Sequence, residues 1–180
     1  MRIGEDLKNM KHLNIEIKAR CNDHRKIRSI LKSRNAIFKG KDHQIDTYFR
    51  VNHGRLKLRE GNIENFLVFY AREDKKGPKQ SDVILFKPAP NSSLKEILLK
   101  SLGVLVVVDK QREIYFIENV KFHIDTVKDL GTFMEIEAID GDGSLGRERL
   151  LKQCEDYLEL FNIPKDDLIP VSYSDLLLKR

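Results

Sequence analysis

The sequence predicts an α+β protein built on a closed, eight-stranded antiparallel β-barrel with helices packed outside it. Three observations carry that expectation. About eight segments read as strands, and most of their connections have turn length, which favours antiparallel over parallel pairing. Several strands alternate apolar residues with charged ones, so the charges of each strand share one face. The apolar sets are bulky enough to need covering by helices, which places the charged sets on the inner face of a closed sheet.

The chain bears this out element by element. Leu13–Cys21 is the first strand, with Asn14, Glu16, Lys18 and Arg20 alternating with Ile15, Ile17 and Ala19. Asn22-Asp23 supplies a cap for a helix to about Asn35, striped by Ile27, Ile30 and Leu31. Gln44–Val51 is the second strand and, after the turn at Asn52-His53-Gly54, Arg55–Arg59 is the third. Gly61-Asn62 turns the chain into Phe66–Arg72. A polar loop, Glu73–Gln80, follows with Gly77-Pro78 at its centre, and Val83–Lys87 is the fifth strand. Asn91–Ser101 is a short helix in which Ser93 and Glu96 have capping-box spacing and Gly103 is the stop. Val104–Phe116, Asn119–Val127 and Thr132–Ile139 complete the strands. A helix over Ser144–Phe161 puts Leu150, Cys154, Tyr157, Leu158 and Phe161 on one face, and Tyr173–Leu178 is a short helical end.

At 180 residues the chain suits one domain over 1–180, since no repeat, low-complexity tract or linker divides it. Its 41% hydrophobic and 34% charged content belong to a globular protein rich in charge. The longest apolar run, Leu102–Val108, is too short to span a bilayer, and no apolar core follows Met1–Asp6. The expectation is a cytoplasmic protein with no membrane partner. Cys21 and Cys154 are far apart without metal-ligand neighbours and read as reduced core thiols. A net charge of +5 and a pI near 9.1 lean towards an anionic partner. With no tryptophan, no aromatic-basic interleaving and no basic helix, that partner is not a nucleic acid.

The charges segregate by strand. Arg55, Lys57 and Arg59 share one strand, Arg72 ends the next, and Lys110 and Arg112 share another. Lys121, His123 and Asp125 alternate with Phe122 and Ile124, and Glu135 and Glu137 with Met134, Ile136 and Ala138. A solvent-facing sheet would show the same alternation but usually mixes signs within a strand. Clustered Lys and Arg need an anion among them, and a polyphosphate accepts many charge-assisted hydrogen bonds. Glu16, Asp125, Glu135 and Glu137 suit a hard divalent cation with oxygen ligands, Mg²⁺ or Mn²⁺. The residues thus point to a metal-triphosphate site inside an antiparallel barrel.

Several segments then resemble one family. Asn14-Ile-Glu-Ile-Lys-Ala-Arg20, Gln44-Ile-Asp-Thr-Tyr-Phe49, Gly54-Arg-Leu-Lys-Leu-Arg59 and Tyr70-Ala-Arg72 are similar to the CYTH domains of the triphosphate tunnel metalloenzymes. So are Gly77-Pro-Lys-Gln-Ser81, His123-Ile-Asp125, Leu130–Glu137, Asp167–Ile169 and Ser172–Leu176. The likeness covers nearly the whole chain in order and is nearest the class IV adenylate cyclase branch. It implies a triphosphate tunnel that binds ATP or another triphosphate compound with Mg²⁺ or Mn²⁺. By position, it implies metal ligation by Glu16, Asp125, Glu135 and Glu137, with Asn14 as a further candidate through its amide oxygen. Lys18, Lys57, Arg59, Arg72, Lys110 and Arg112 would hold phosphates, and Lys79 would close over them from its loop. Glu16, Lys18, Arg112 and Asp125 are the candidate catalytic residues, while Arg20 and Arg55 are weaker candidates at the tunnel rim. The family signature begins Glu-x-Glu-x-Lys, and here Asn14 replaces its first acid, removing one charge. The chain gives no sign of its oligomeric state, and a homodimer is compatible with it.

Cyclisation of ATP would release pyrophosphate by attack of the ribose 3′-hydroxyl on the α-phosphate. The same residues would serve a triphosphatase acting on thiamine triphosphate, inorganic triphosphate or a nucleoside triphosphate. A third reading is a polyphosphate-binding module without turnover. Two other motifs fail. Gly141-Asp-Gly-Ser-Leu-Gly146 fits a dinucleotide-binding spacing, but no strand follows its helix and Asp140 and Asp142 would repel a pyrophosphate. As an EF-hand loop the same stretch has Leu145 where glycine is required. It reads instead as a turn with Ser144 as helix cap.

Overall fold

The computed structural model describes residues 10–72 and 74–180. The segment before residue 10, Glu73 at the head of the expected loop, and the side chain of His12 lie outside the described residues. Strands β1 (Met10–Arg20), β2 (Ile37–Phe49), β3 (Arg55–Glu60), β4 (Phe66–Arg72), β5 (Lys79–Phe86), β6 (Val104–Ile117), β7 (Val120–Val127) and β8 (Gly131–Asp140) form one closed barrel. Their order round the barrel is β1-β5-β4-β3-β2-β6-β7-β8, with β8 paired back onto β1 and every pair antiparallel. Closure leaves no open edge, so the strand amides and carbonyls are satisfied within the sheet.

The core lies mainly outside the barrel, as the alternation predicts. Helices α1 (His24–Ser33) and α3 (Gly146–Leu160) cover the outer faces of β1, β7 and β8. Ile27 and Leu31 of α1 and Leu150 and Cys154 of α3 pack there with Ile15, Ile17, Phe122, Ile124, Met134 and Ile136. Phe122 is fully buried, its ring edge-on to Tyr157 at 4.7 Å and to Phe161 at 5.7 Å. Burying such a ring contributes on the order of 3 kcal/mol. Arg28 fastens α1 to the barrel through paired bonds of 2.9 and 2.8 Å to Glu113. Helix α2 (Leu94–Leu102) covers a second outer patch, with Leu98 against Phe49 and Leu58.

The C-terminal segment packs into one end of the barrel. Ile169 donates its amide to the Lys18 carbonyl, and Leu168 bridges to Ala19. Tyr173, the first residue of α4 (Tyr173–Leu178), is buried among Tyr48, Val68, Tyr70, Val108 and Phe133. Ser172 and Asp175 cap α4 reciprocally. Both cysteines are free, and the Cys154 thiol donates to the Ile15 carbonyl.

Four local expectations need correction. β2 starts at Ile37, seven residues before the expected Gln44. Its first residues are exposed, and a register shift between Phe38 and Gly40 breaks the alternation that marks a strand. β5 starts at Lys79 rather than Val83, because its first inward residues, Lys79 and Ser81, are polar and lack the apolar alternation that marks a strand. Ser93 makes no side-chain cap on α2, although Gly103 does end it with a positive φ of 68°. Ser144 does not cap α3: Asp140 instead accepts the amides of Gly143, Leu145 and Gly146.

Candidate functional site

The inward side chains enclose a cavity of about 1060 Å³. β1 contributes Asn14, Glu16 and Lys18; β2, Asp46 and Tyr48; β3, Lys57 and Arg59; and β4, Phe66, Val68, Tyr70 and Arg72. β5 adds Ser81, Val83 and Leu85; β6, Lys110 and Arg112; β7, Lys121 and His123; and β8, Glu135, Glu137 and Ile139. The structure therefore brings together Asn14, Glu16, Lys18, Lys57, Arg59, Arg72, Lys110, Arg112, Glu135 and Glu137. The lining also carries an apolar stretch. Most of its apolar members, Phe66, Val68, Val83, Leu85 and Phe86, belong to the adjacent β4 and β5. These stand three or four places round the closed sheet from β6 and β7 but beside β3, where Lys57 and Arg59 face Val68 and Phe66.

The charges form three linked clusters. Asp46, 1% exposed, accepts from Arg59 at 2.8 and 2.9 Å, Lys57 at 2.9 Å and Lys110 at 2.7 Å. Glu64, on the β3–β4 connection, pairs with Arg59 at 2.9 Å and with Lys121. That connection is held by Asp42, which accepts the amides of Ile63 and Glu64 at 2.9 and 3.0 Å. The chain passes so close at Gly61 that a Cβ would lie 2.6 Å from Asp42 Oδ1, so glycine is required there. In the third cluster Glu135 takes Lys18, Arg112 at 2.9 Å and His123 Nδ1 at 2.9 Å. Arg72 pairs with Glu16, and Asn14 donates its amide to Glu137.

Burial alone would raise the carboxyls of Asp46, Glu64 and Glu135, but the cations around them overcome it. Arg59, Lys110 and Lys57 hold Asp46 well below the usual carboxylate range. Arg59 and Lys121 do the same for Glu64, and Lys18 and Arg112 for Glu135. Burial, with Arg112 beside it, pushes the His123 imidazole down. All four shifts make the unfolded chain bind more protons than the folded one as the solution is acidified. Stability is therefore expected to fall first below about pH 6.5 through His123, then steeply below about pH 4 as the carboxyls protonate. Thermal melts from pH 7 to pH 3 test this, and a midpoint unchanged down to pH 3 would contradict it.

Some expected site residues lie elsewhere. Lys79 is a strand residue, fully buried, with Nζ donating to the Ile169 carbonyl at 2.8 Å and outside the cavity lining. Burial, then Arg72 and Lys18, push its ammonium down to about 7. Its register puts it beneath the C-terminal segment, so it anchors that segment and is not a loop residue closing over phosphates. Asp125 is fully buried and also outside the lining. Its oxygens take Arg112 at 2.7 and 2.5 Å and the Tyr173 hydroxyl at 2.7 Å, so it positions Arg112. Arg20 is exposed and bonds the Leu130 carbonyl, while Arg55 pairs with Asp74 and Asp175. Asp46, Glu64 and Tyr173 were not anticipated. Asp46 shares a strand face with Gln44 and Tyr48 in the Gln44–Phe49 segment, a legible signal; Glu64, in a turn, left none.

Glu16 and Glu137 face each other directly across β1 and β8, with Glu135 on the same inner face. Like charges in direct cross-strand opposition destabilise a sheet unless a cation compensates them. Among the described residues no three His, Cys, Asp or Glu side chains converge closely enough to hold a metal in this arrangement, each acid being turned towards an internal donor. The donor set is all oxygen and anionic, which fits a hard divalent cation.

Comparison with known proteins agrees with this architecture. The CYTH domain profile matches residues 12–173. The Methanocaldococcus jannaschii protein named "Putative adenylate cyclase MJ0240" is 30% identical over 173 residues, which cover 91% of this chain and 98% of the relative. The PH1012 protein of Pyrococcus horikoshii superposes with a TM-score of 0.74 at 25% identity, over 91% of this chain and 98% of that one. The Hippeastrum protein HpAC1, described as a putative adenylyl cyclase with a dominant triphosphatase activity, superposes with a TM-score of 0.61 over 93% of this chain and 94% of that one. Its 14% identity makes this a likeness of fold. With the profile running along nearly the whole barrel and a relative matched almost end to end, this chain belongs to the CYTH domain family.

Proposed function

We propose that this protein is a divalent-metal-dependent enzyme acting on a triphosphate compound, and specifically an adenylate cyclase-like lyase that converts ATP to cyclic AMP and pyrophosphate. The observation that carries this reading is a cavity wall that offers both a set of cations and an apolar stretch. Lys57, Arg59, Lys110 and Arg112 offer charge-assisted donors for a polyphosphate, and the apolar stretch from Phe66 to Val68 and from Val83 to Phe86 suits an organic ring system. An inorganic triphosphate would leave that apolar stretch unused. The name of the Methanocaldococcus jannaschii relative points the same way.

Glu16, Glu135 and Glu137 would hold Mg²⁺ or Mn²⁺. Such an ion, when bound, neutralises phosphate charge and lowers the pKa of an attacking hydroxyl. The rest of the work falls to the chain's own groups. Incoming phosphates would draw Lys57, Arg59 and Lys110 from Asp46, exchanging one buried anion for another. Arg112, clamped by Asp125, would present fixed donors to the charge that builds on the departing pyrophosphate. The 3′-oxygen forms its bond to the α-phosphorus as the α–β bridging P–O bond breaks, and the hydroxyl proton is released.

Incubation with ATP, inorganic triphosphate or thiamine triphosphate, each with Mg²⁺ or Mn²⁺, separates the alternatives by product chromatography. Cyclic AMP and pyrophosphate are expected from ATP, with turnover lost on adding EDTA. Orthophosphate released from the terminal position would assign a triphosphatase instead. Binding without turnover of all three would leave a polyphosphate-binding module.

A further inference from the structure

One row of the cavity wall is polar yet unfinished. Arg72, Ser81 and Asn14 are direct cross-strand partners on β4, β5 and β1. All three line the cavity, and neighbours in such a row stand about 5 Å apart at Cβ. Each is more than nine-tenths buried: Asn14 and Ser81 are 2% exposed, and the Arg72 side chain 3%. Each also keeps a polar atom that finds no partner among the described residues, namely Asn14 Oδ1, Ser81 Oγ and Arg72 Nε. Three such atoms side by side in one wall are unusual, because an unsatisfied buried polar group costs roughly 1–3 kcal/mol.

The chemistry of the three atoms narrows the ligand. Arg72 Nε can only donate, Ser81 Oγ donates or accepts, and Asn14 Oδ1 can only accept. The orientation of Asn14 is set, since its amide nitrogen is spent on Glu137. An ionised phosphate offers acceptors only and would leave Asn14 Oδ1 unpaired. Hydroxyls both donate and accept, so adjacent hydroxyls match the row. Its location fits as well. One step along the strands towards Val83 and Tyr70 the wall is apolar or aromatic, and one step the other way stands Glu16. The row therefore stands between the apolar stretch and Glu16, one of the carboxylates proposed to hold the metal.

We propose that Arg72, Ser81 and Asn14 form a sugar subsite that recognises the ribose hydroxyls of a nucleoside triphosphate. This rests on the triphosphate reading above and assigns Asn14 to the sugar and not to a metal. The subsite makes ribonucleotides the substrate class and gives the replacement of the family's first acid by an amide a use, because a neutral acceptor binds a hydroxyl without attracting a second cation.

Calorimetric binding of ATP, 2′,3′-dideoxy-ATP and inorganic triphosphate, in the presence of Ca²⁺ to suppress turnover, tests it on the unaltered protein first. ATP should bind about three- to tenfold tighter than the dideoxy analogue. Ser81→Ala should weaken ATP by a similar factor and leave the dideoxy analogue and inorganic triphosphate unchanged. Asn14→Ala should leave Mn²⁺ binding without nucleotide unchanged. Equal affinity of the unaltered protein for ATP and the dideoxy analogue overturns the subsite, as does a uniform loss for all ligands in Ser81→Ala. Loss of Mn²⁺ binding in Asn14→Ala returns that residue to the metal. If inorganic triphosphate itself fails to bind, the triphosphate reading falls and takes the subsite with it.

Discussion

Glu137→Gln should lower metal-dependent turnover at least about a hundredfold while leaving the barrel folded. Glu137 lines the cavity directly opposite Glu16, so the two carboxylates are direct cross-strand partners on the inner face. Gln keeps the shape and the contact with Asn14 but removes the negative charge that offsets a divalent cation. Losing one preorganised charged group at a reacting centre typically costs on the order of 10²–10³ in rate. The metal-free protein should gain slightly, by a few tenths of a kcal/mol, because direct like-charge opposition across the β1–β8 seam is relieved. Turnover assays paired with melts in Mn²⁺ and in EDTA read both effects. The unaltered protein should be stabilised by Mn²⁺ and the variant should not. A variant that keeps both its turnover and its Mn²⁺-dependent shift would remove Glu137 from the metal site.

Asp46→Asn should destabilise the ligand-free protein by roughly 3–5 kcal/mol, the usual cost of removing one partner from a buried ion pair. Asp46 is the common acceptor for Lys57, Arg59 and Lys110, and its loss leaves three enclosed cations facing one another. For a chain of this length that corresponds to a melting-point drop of about 10 °C. The same variant should be rescued more strongly by inorganic triphosphate than the unaltered protein, since the ligand would then supply the missing anion without displacing one. Equal triphosphate shifts in the two proteins would mean that phosphates do not compete with Asp46 for these cations. Asp46 thus separates the resting charge balance of the cavity from its catalytic chemistry.

The strands that were easiest to read are those whose outer face meets a helix. In β1, β7 and β8, Ile15, Ile17, Phe122, Ile124, Met134 and Ile136 alternate cleanly with charges because one face is core and the other cavity. Where that contrast fades, the reading slipped. Lys79 and Ser81 begin β5 as polar residues that turn inward, so the segment resembled the loop before it. Ile37 and Phe38 begin β2 as exposed apolar residues beside a register shift.

The site shows the same division. Alternation by itself collected Glu16, Lys18, Lys57, Arg59, Lys110, Arg112, Glu135 and Glu137 onto one face, because a strand's period of two is local and needs no fold to be read. Which of those charges meet is a property of the closed barrel. Strand order and register set Glu16 against Glu137, gathered Lys57, Arg59 and Lys110 on Asp46, and took Asp125 out of the lining to hold Arg112. Lys79 was bound to Ile169, ninety residues away, and Tyr173 to Asp125, by a C-terminal segment that fills the barrel's end. The sequence by itself determined an antiparallel sheet with a charged face, the CYTH family and most of the charged cavity residues, since these follow from neighbours along the chain. Only the tertiary structure decided the pairing of the charges, the apolar stretch of the wall and the unfinished row at Asn14, Ser81 and Arg72, because each depends on residues that closure alone brings side by side.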